Sequence, residues 1–295
     1  MSDKTGISWT DATWNPLRGC RRVSPECEHC YAEKVAGRFH GPGEAYEGLV
    51  TLGKHGYRWN GKVHTIEKHM FDPLHWRRPR EIFVNSMSDL FYEEVSDTFI
   101  ALVFSIMAKA HWHRFQILTK RGGRMRDWFE TKEACAAKEE ARSMGQPWPL
   151  PNVWLGVSVG LQDYMYRVAE LLSTPAAVKF VSAEPLIGPL DFTNVPCPGE
   201  HEPGENCPVC GGRGKIDAFM EGLDWVITGC ESGAGARPMD DDWARSIRDQ
   251  CNAASVPFYL KQMRVDGVKT ELPFLDGRQW MEKPRTSEVP ATTEA

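Results

Sequence analysis

The stretch "NPLRGCRRVSPECEHCYAEK", residues 15–34, places Cys20, Cys27 and Cys30 within eleven positions, spaced C-x6-C-x2-C. Cysteines so spaced are candidate metal ligands. A structural zinc closes its tetrahedron with four protein ligands, so three cysteines would need His29, His40 or a distant cysteine to complete the set. A cubane [4Fe–4S] cluster held by three thiolates instead keeps one iron open to an outside ligand, whereas four-cysteine clusters are closed. On spacing alone both readings stand.

A second set, Cys197, His201, Cys207 and Cys210, is spaced C-x3-H-x5-C-x2-C, and its "CPVCGGRGK" half is similar to a zinc knuckle. Four such ligands would close a structural zinc and staple an insertion, 196–215, that has almost no hydrophobic core. An auxiliary iron–sulfur cluster is the alternative. A zinc here would hold a substrate-facing lid, or grip nucleic acid through the basic "GGRGK". Cys135 and Cys251 fall in helical patterns, where a buried cysteine acts as a small hydrophobe.

Short β-rich runs alternate with longer helical patterns and must position these residues. Strands are predicted at 80–86, 114–120, 152–159, 177–184, 224–230 and 256–262, with another within 5–14. Helices are predicted at 26–39, 93–110, 121–143, 161–172 and 241–254. Apolar runs alternating with helices imply parallel strands buried on both faces. The fold class is therefore α/β, a partial or full (β/α) TIM-like barrel, with an open doubly wound sheet as the runner-up. The domain spans 1–282, including a Gly-, aromatic- and base-rich loop insertion at 39–65 and the cysteine-rich insertion. The stretch 283–295 lacks apolar residues and reads as a disordered tail.

Ligands of parallel α/β folds bind at the C-terminal ends of strands. Those endings carry Ser88 and Asp89, Lys120 and Arg121, Ser158, Glu184, Cys230 and Glu231, and Lys261 and Gln262. Any one of them has an ordinary explanation as a helix cap or turn residue. Together they form a polar rim.

The chain of 295 residues is 41% hydrophobic and 25% charged, enough for one large core. It contains no apolar run of about 18 residues, and its first residues resemble no secretory signal. The expectation is a cytoplasmic protein with no membrane contact, its nine cysteines reduced or metal-bound. A net charge of −5 gives no global nucleic-acid footprint. Locally, Trp9, Trp14, Trp59 and Trp76 interleave with Arg18, Arg21, Arg22, Arg58, Arg77, Arg78 and Arg80, a pattern that serves either base stacking or an ordinary packed rim.

The segment "SWTDATWNPLRGCRRVSPECEHCYAEKVAGRF" (8–39) resembles the opening of the phage- and prophage-associated three-cysteine-motif proteins, a domain family of undefined function that is itself similar to the radical SAM superfamily. "FVNSMSDLF" (83–91), "ILTKR" (117–121), "LGVSV" (155–159), "SAEPLIGPL" (182–190), "DWVITGCESGAGARPM" (224–239) and "VPFYLKQ" (256–262) continue the resemblance in order along the chain. It implies a radical SAM-type barrel in which Cys20, Cys27 and Cys30 bind a [4Fe–4S] cluster whose fourth iron takes S-adenosylmethionine. Two departures are visible. The usual cysteine spacing is C-x3-C-x2-C with an aromatic residue before the last cysteine, where this chain has His29. The family's Gly-Gly-Glu-Ser-Gly here reads Gly229-Cys230-Glu231-Ser232-Gly233.

With S-adenosylmethionine as the implied ligand, position at the strand ends suggests roles for the rim. Ser88 and Asp89 would receive the ammonium of S-adenosylmethionine, Lys120 or Arg121 its carboxylate, and Ser158 a ribose hydroxyl. Glu184 and Glu231 would orient substrate or take protons, and Lys261 would balance them, or else pair with Glu184 across the barrel mouth. Cys230 would be a hydrogen donor, a further ligand, or a replacement for glycine. The expected function is reductive cleavage of S-adenosylmethionine acting on a nucleic acid, nucleotide or related substrate, with a flavodoxin or ferredoxin as electron donor. The alternative is a non-catalytic, zinc-stabilised factor that binds nucleic acid or protein.

Overall fold

The computed structural model of the chain describes residues 5–196, 215–216, 219–233 and 235–285. Its centre is one eight-stranded sheet. The strands are β1 (Ala12–Trp14), β2 (Glu81–Val84), β3 (Arg114–Thr119), β4 (Val153–Ser158), β5 (Val178–Ala183), β6 (Trp225–Gly229), β7 (Phe258–Val265) and β8 (Val268–Glu271), in that spatial order. Neighbours from β1 to β7 are parallel. β8 returns antiparallel on β7.

Because every crossover moves one strand onward, the sheet never reverses its strand order, and it curls into a half-barrel. The helices α1 (Tyr31–Ala36), α2 (Asp97–Lys109), α3 (Gly122–Trp128), α4 (Lys132–Ser143), α5 (Tyr166–Leu172) and α6 (Asp241–Ala254) complete the α/β alternation. α2 starts where the Ser96 side chain accepts from the Phe99 N–H at 3.2 Å. Its Ile100, Val103, Phe104 and Met107 fall on one buried stripe. The helical pattern predicted over 121–143 divides into α3 and α4, because the Thr131 side chain caps a fresh helix by accepting from the Ala134 N–H.

The period-2 alternation of the strands sorts their side chains into two cores. Ile82 and Val84, Phe115 and Ile117, Leu155 and Val157, and Val181 and Ala183 join the helices in the larger one. The intervening Phe83, Trp154, Phe180, Trp225, Ile227 and Tyr259 pack with Trp9 into a largely aromatic floor inside the half-barrel. No helix residue belongs to that inner cluster. This distinguishes the architecture from a doubly wound sheet, whose two faces both carry helices. The half-barrel stays open, since β1 and β8 are its two edges.

The 39–65 segment is more ordered than a loop. Val50–Gly53 and Gly56–Trp59 form an antiparallel hairpin whose Trp59 packs with Ala32, Ala36 and Leu49. Val195–Pro196 pairs antiparallel with Lys215–Ile216, bringing together the ends of the cysteine-rich stretch. Lys283 anchors to the base of the sheet, 2.5 Å from Glu81 Oε2 and 3.3 Å from the Trp9 carbonyl, while 286–295 lie outside the described residues. Among the described residues no helix is long and apolar enough to cross a membrane.

The interleaved tryptophans do not form an exposed stacking surface. Trp9, Trp14 and Trp59 are buried, and Trp76 packs against the outer core with Arg80 over its ring. Cys251 is buried in α6, as a small hydrophobe would be, whereas Cys135 is exposed on α4.

Candidate functional site

After β1 the chain passes through Leu17–Arg18, paired with His64–Thr65, into the three-cysteine loop. Gly19 sits at the entrance with φ near 96°, and a Cβ there would lie 2.1 Å from the Lys62 carbonyl oxygen. Only glycine satisfies both constraints. A short 3-10 turn, Pro25–Cys27, and the start of α1 just after Cys30 position the other two cysteines. All three thiols are free and line one cavity of about 640 Å³ at the C-terminal ends of the strands.

Buried charge pairs tie this loop to three parts of the fold. Glu26 accepts from Arg167 Nη1 at 3.3 Å and from the Gly160 N–H at 3.0 Å, with both side chains essentially fully buried. Arg167 also donates to the Ser158 carbonyl at the end of β4 and lies over Tyr164. At Gly160 the backbone must come close, since a Cβ would stand 2.0 Å from the Pro185 oxygen and 2.9 Å from Glu26. Burial raises the Glu26 carboxyl, but the surrounding donors and Arg167 hold it below the ordinary range. Glu33 in α1 accepts from Arg22 and from the Trp59 N–H, fastening the helix to the hairpin.

The third tie reaches β3. Arg121 Nη1 donates to Asp89 Oδ2 at 2.8 Å, Nη2 donates to the Arg21 carbonyl at 3.0 Å, and the guanidinium lies over Tyr92. Cys20 Sγ is 4.0 Å from Arg121 Nη1. Burial pushes the Cys20 thiol up to about 12, with Asp89 adding to the rise and Arg121 opposing it. Burial likewise raises Cys30. Ligation of these thiols would therefore release protons to the solvent.

The opposite wall is joined to the loop by His29. Its Nδ1 is 2.8 Å from Glu231 Oε2, and Glu231 also accepts from the Arg237 backbone N–H and guanidinium. Burial raises the Glu231 carboxyl, but Arg237 and then His29 overcome this and hold it low. Lys261 Nζ stands 2.6 Å from Glu184 Oε1, the ion pair across the mouth. Gln262 Nε2 donates to Glu184 Oε1, the Cys230 carbonyl and Ser232 Oγ. A register shift between Thr228 and Gly229 lets consecutive residues Lys261 and Gln262 both line the cavity.

Ser88, Asp89, Lys120, Arg121, Ser158, Glu184, Cys230, Glu231 and Lys261 all line the same cavity as the three cysteines. Their present partners differ. Ser88 Oγ donates to the Leu17 carbonyl and Ser158 Oγ to the Glu184 carbonyl. Asp89 and Arg121 are committed to each other, leaving the Lys120 ammonium as the rim cation with no hydrogen-bond or ion-pair partner among the described residues. Cys230 is buried beside Glu184, and burial raises its thiol. The second set, Cys197, His201, Cys207 and Cys210, lies outside the described residues. Among the described residues no group of three or more His, Cys, Asp or Glu side chains is arranged around a single metal ion.

Four residues escaped the sequence reading. Glu26, Arg167 and Glu33 are hidden there because their partners lie far along the chain or look like surface charges. Asn85, at the end of β2, is buried in the cavity wall with neither amide atom hydrogen-bonded. Its place near the end of the predicted strand 80–86, just before "SMSD", was the available signal.

A family model described as "Protein of unknown function (DUF5131)" matches residues 4–284. The chain belongs to this family. Neither the curated proteins nor the solved structures gave a match. The family's extent covers the half-barrel, the three-cysteine loop and the whole rim, so the site is built entirely within the shared domain.

Proposed function

We propose that this protein is a radical SAM-like iron–sulfur enzyme of the phage- and prophage-associated kind its sequence resembles, working in the host cytoplasm. The observation that carries the reading is the convergence of Cys20, Cys27 and Cys30 on one cavity with polar residues at or near the ends of β2 to β7. The donor set fits a [4Fe–4S] cluster, because three free thiols face the cavity and each would bind a different iron, so they need not converge on one point. A cluster so held, fed one electron by a flavodoxin or ferredoxin, would supply reductive cleavage of S-adenosylmethionine to methionine and a 5′-deoxyadenosyl radical.

The chain's own residues would bind and orient. Lys120, which has no hydrogen-bond or ion-pair partner among the described residues, would take a carboxylate, while Asp89 and Arg121 act by fixing the backbone that carries Cys20 rather than by meeting the ligand. Glu184, Lys261 and Gln262 form a polar wall that would orient a nucleic acid, nucleotide or related substrate. Cys230, which lines the same cavity, is a candidate hydrogen donor.

A second reading draws on His29. Its Nδ1 contact with a carboxylate is the arrangement that orients metal-ligating histidines, and His29 would complete a Cys3His zinc site in a non-catalytic binding factor. Anaerobic purification with iron, sulfide and zinc analysis, followed by reduction with S-adenosylmethionine and assay for 5′-deoxyadenosine, separates the two. About four irons per chain, 5′-deoxyadenosine formation, and loss of both in Cys20→Ala, Cys27→Ala or Cys30→Ala are the expected results. Zinc in these positions and no cleavage would overturn the enzyme reading.

A further inference from the structure

Asn85 is 3% exposed, and neither its Oδ1 nor its Nδ2 has a hydrogen-bond partner. A buried amide left so is destabilising, because the desolvation of each unmatched group is not repaid. Its backbone is also in the left-handed region, with φ of 60°. Asparagine tolerates that conformation better than most residues, but glycine would adopt it without cost. The turn is held by other groups: the Asn85 N–H donates to the Trp14 carbonyl at 2.8 Å, and the Asn15 side chain accepts from Ser86 Oγ and the Met87 N–H. The side-chain amide therefore adds nothing to the turn that carries it.

Its surroundings define what it would meet. Asn85 lies one residue beyond β2 and two past the inward-facing Phe83, and both line the cavity with Trp9 and Leu118. The Trp9 ring meets Phe83 edge-on at 5.0 Å, and Trp9 Nε1 is a second buried donor without a partner. A neutral amide beside aromatic rings suits a neutral, flat group carrying one donor next to one acceptor. A zwitterion would instead need the charges found at Lys120 and the Glu184–Lys261 pair.

We infer that Asn85 reads the hydrogen-bonding edge of a nucleobase lodged against the aromatic floor of the cavity. Asparagine presents the bidentate donor–acceptor pair that a base edge complements. The inference deepens the proposed function by giving that site a ligand class, and it rests on that reading only in taking this cavity as the active site. The base would belong either to S-adenosylmethionine or to the substrate.

The test is calorimetric titration of the anaerobically purified full chain with adenosine, guanosine, cytidine, uridine, S-adenosylmethionine and L-methionine. Asn85→Gly keeps the left-handed backbone and deletes the amide; Asn85→Asp keeps its shape and removes the donor. The wild type should bind at least one base-containing probe, Asn85→Gly should weaken it about tenfold or more, and Asn85→Asp should change the ranking of the bases. Weakening confined to adenosine and S-adenosylmethionine assigns the base to the cofactor, and weakening of another nucleoside assigns it to the substrate. Failure of every base-containing probe to bind, unchanged binding by Asn85→Gly, or weakening of L-methionine alone would overturn the inference. Iron and 5′-deoxyadenosine measured on the same preparation keep the two ideas apart: Asn85-dependent nucleoside binding without iron would retain this inference and sink the radical enzyme.

Discussion

The two ends of the parallel strands are built on different terms. At the N-terminal ends ionisable groups are closed off: Glu81 takes Arg114 at 2.8 Å and Lys283 at 2.5 Å, and His113 has both ring nitrogens engaged, by the Pro73 carbonyl and the Arg80 N–H. At the C-terminal ends charge pairs hold a loop and a wall in place, yet an ammonium, Lys120, and an amide, Asn85, are left in the cavity without hydrogen-bond or ion-pair partners among the described residues. One end is spent on stability. The other holds cavity-lining groups in reserve, as a binding site requires, although buried amide atoms without partners also occur away from the mouth, at Gln116 and Asn152.

The sharpest way to break that contrast is at the one place where the mouth also bears structural weight. Arg167→Met would leave Glu26 buried without its ion-pair partner, and a denaturant melt should show a loss of about 3–5 kcal/mol. On the proposed iron–sulfur reading, iron loading should fall as well, since Glu26 lies between Cys20 and Cys27. Adding Glu26→Gln should recover part of the stability, because the unpaired charge is then gone. A single variant that melts like the wild type would mean that the pair does not hold the loop.

The base offers the next largest effect, through pH. Burial holds His113 down at about 4, against an ordinary value near 6.5, and its Nδ1 can accept from Arg80 only while unprotonated. Between these values the unfolded chain binds the proton that the folded chain refuses. The stabilisation is therefore complete above about pH 6.5 and is lost as the pH falls toward 4, amounting to about 2–3 kcal/mol by pH 4.5. Melts of wild type and His113→Asn at pH 7 and 4.5 should show the smaller acid loss in the variant. Equal losses would remove His113 from the account.

The smallest structural effect should come from Lys120. With no partner to lose among the described residues, Lys120→Met should shift stability by no more than about 0.5 kcal/mol. Its binding of S-adenosylmethionine should nevertheless weaken about tenfold or more, as expected for loss of a charge-assisted contact. A marked loss of stability without a change in binding would place Lys120 with the structural charges and erase the contrast.

Much of this molecule can be read along the chain. Apolar runs alternating with helical patterns located β2 to β7 to within a few residues, and a residue's parity along its strand is enough to sort it to floor, rim or outer core. Residue type at the strand ends was sufficient to collect the rim, because the ends of parallel strands must come together. The hairpin within 39–65 and β8 were not legible, being short and half exposed, with weak alternation. Nor was the division of labour within the rim. Asp89 and Arg121 carry the right charges for a ligand, yet they meet each other, while Asn85 looks like an ordinary turn residue and proves to be a buried unmatched amide.

The sequence by itself determined the three-cysteine loop, the order of strands and helices, and the chemical inventory of the mouth, since these depend on local periodicity and residue type. Only the tertiary structure decided that the sheet curls into an open half-barrel, that Glu26 finds Arg167 and His29 finds Glu231, and which rim groups remain free. The reason is physical. Whether a polar group is satisfied depends on partners more than 100 residues away, as with Glu26–Arg167 and His29–Glu231, and no local pattern carries that information.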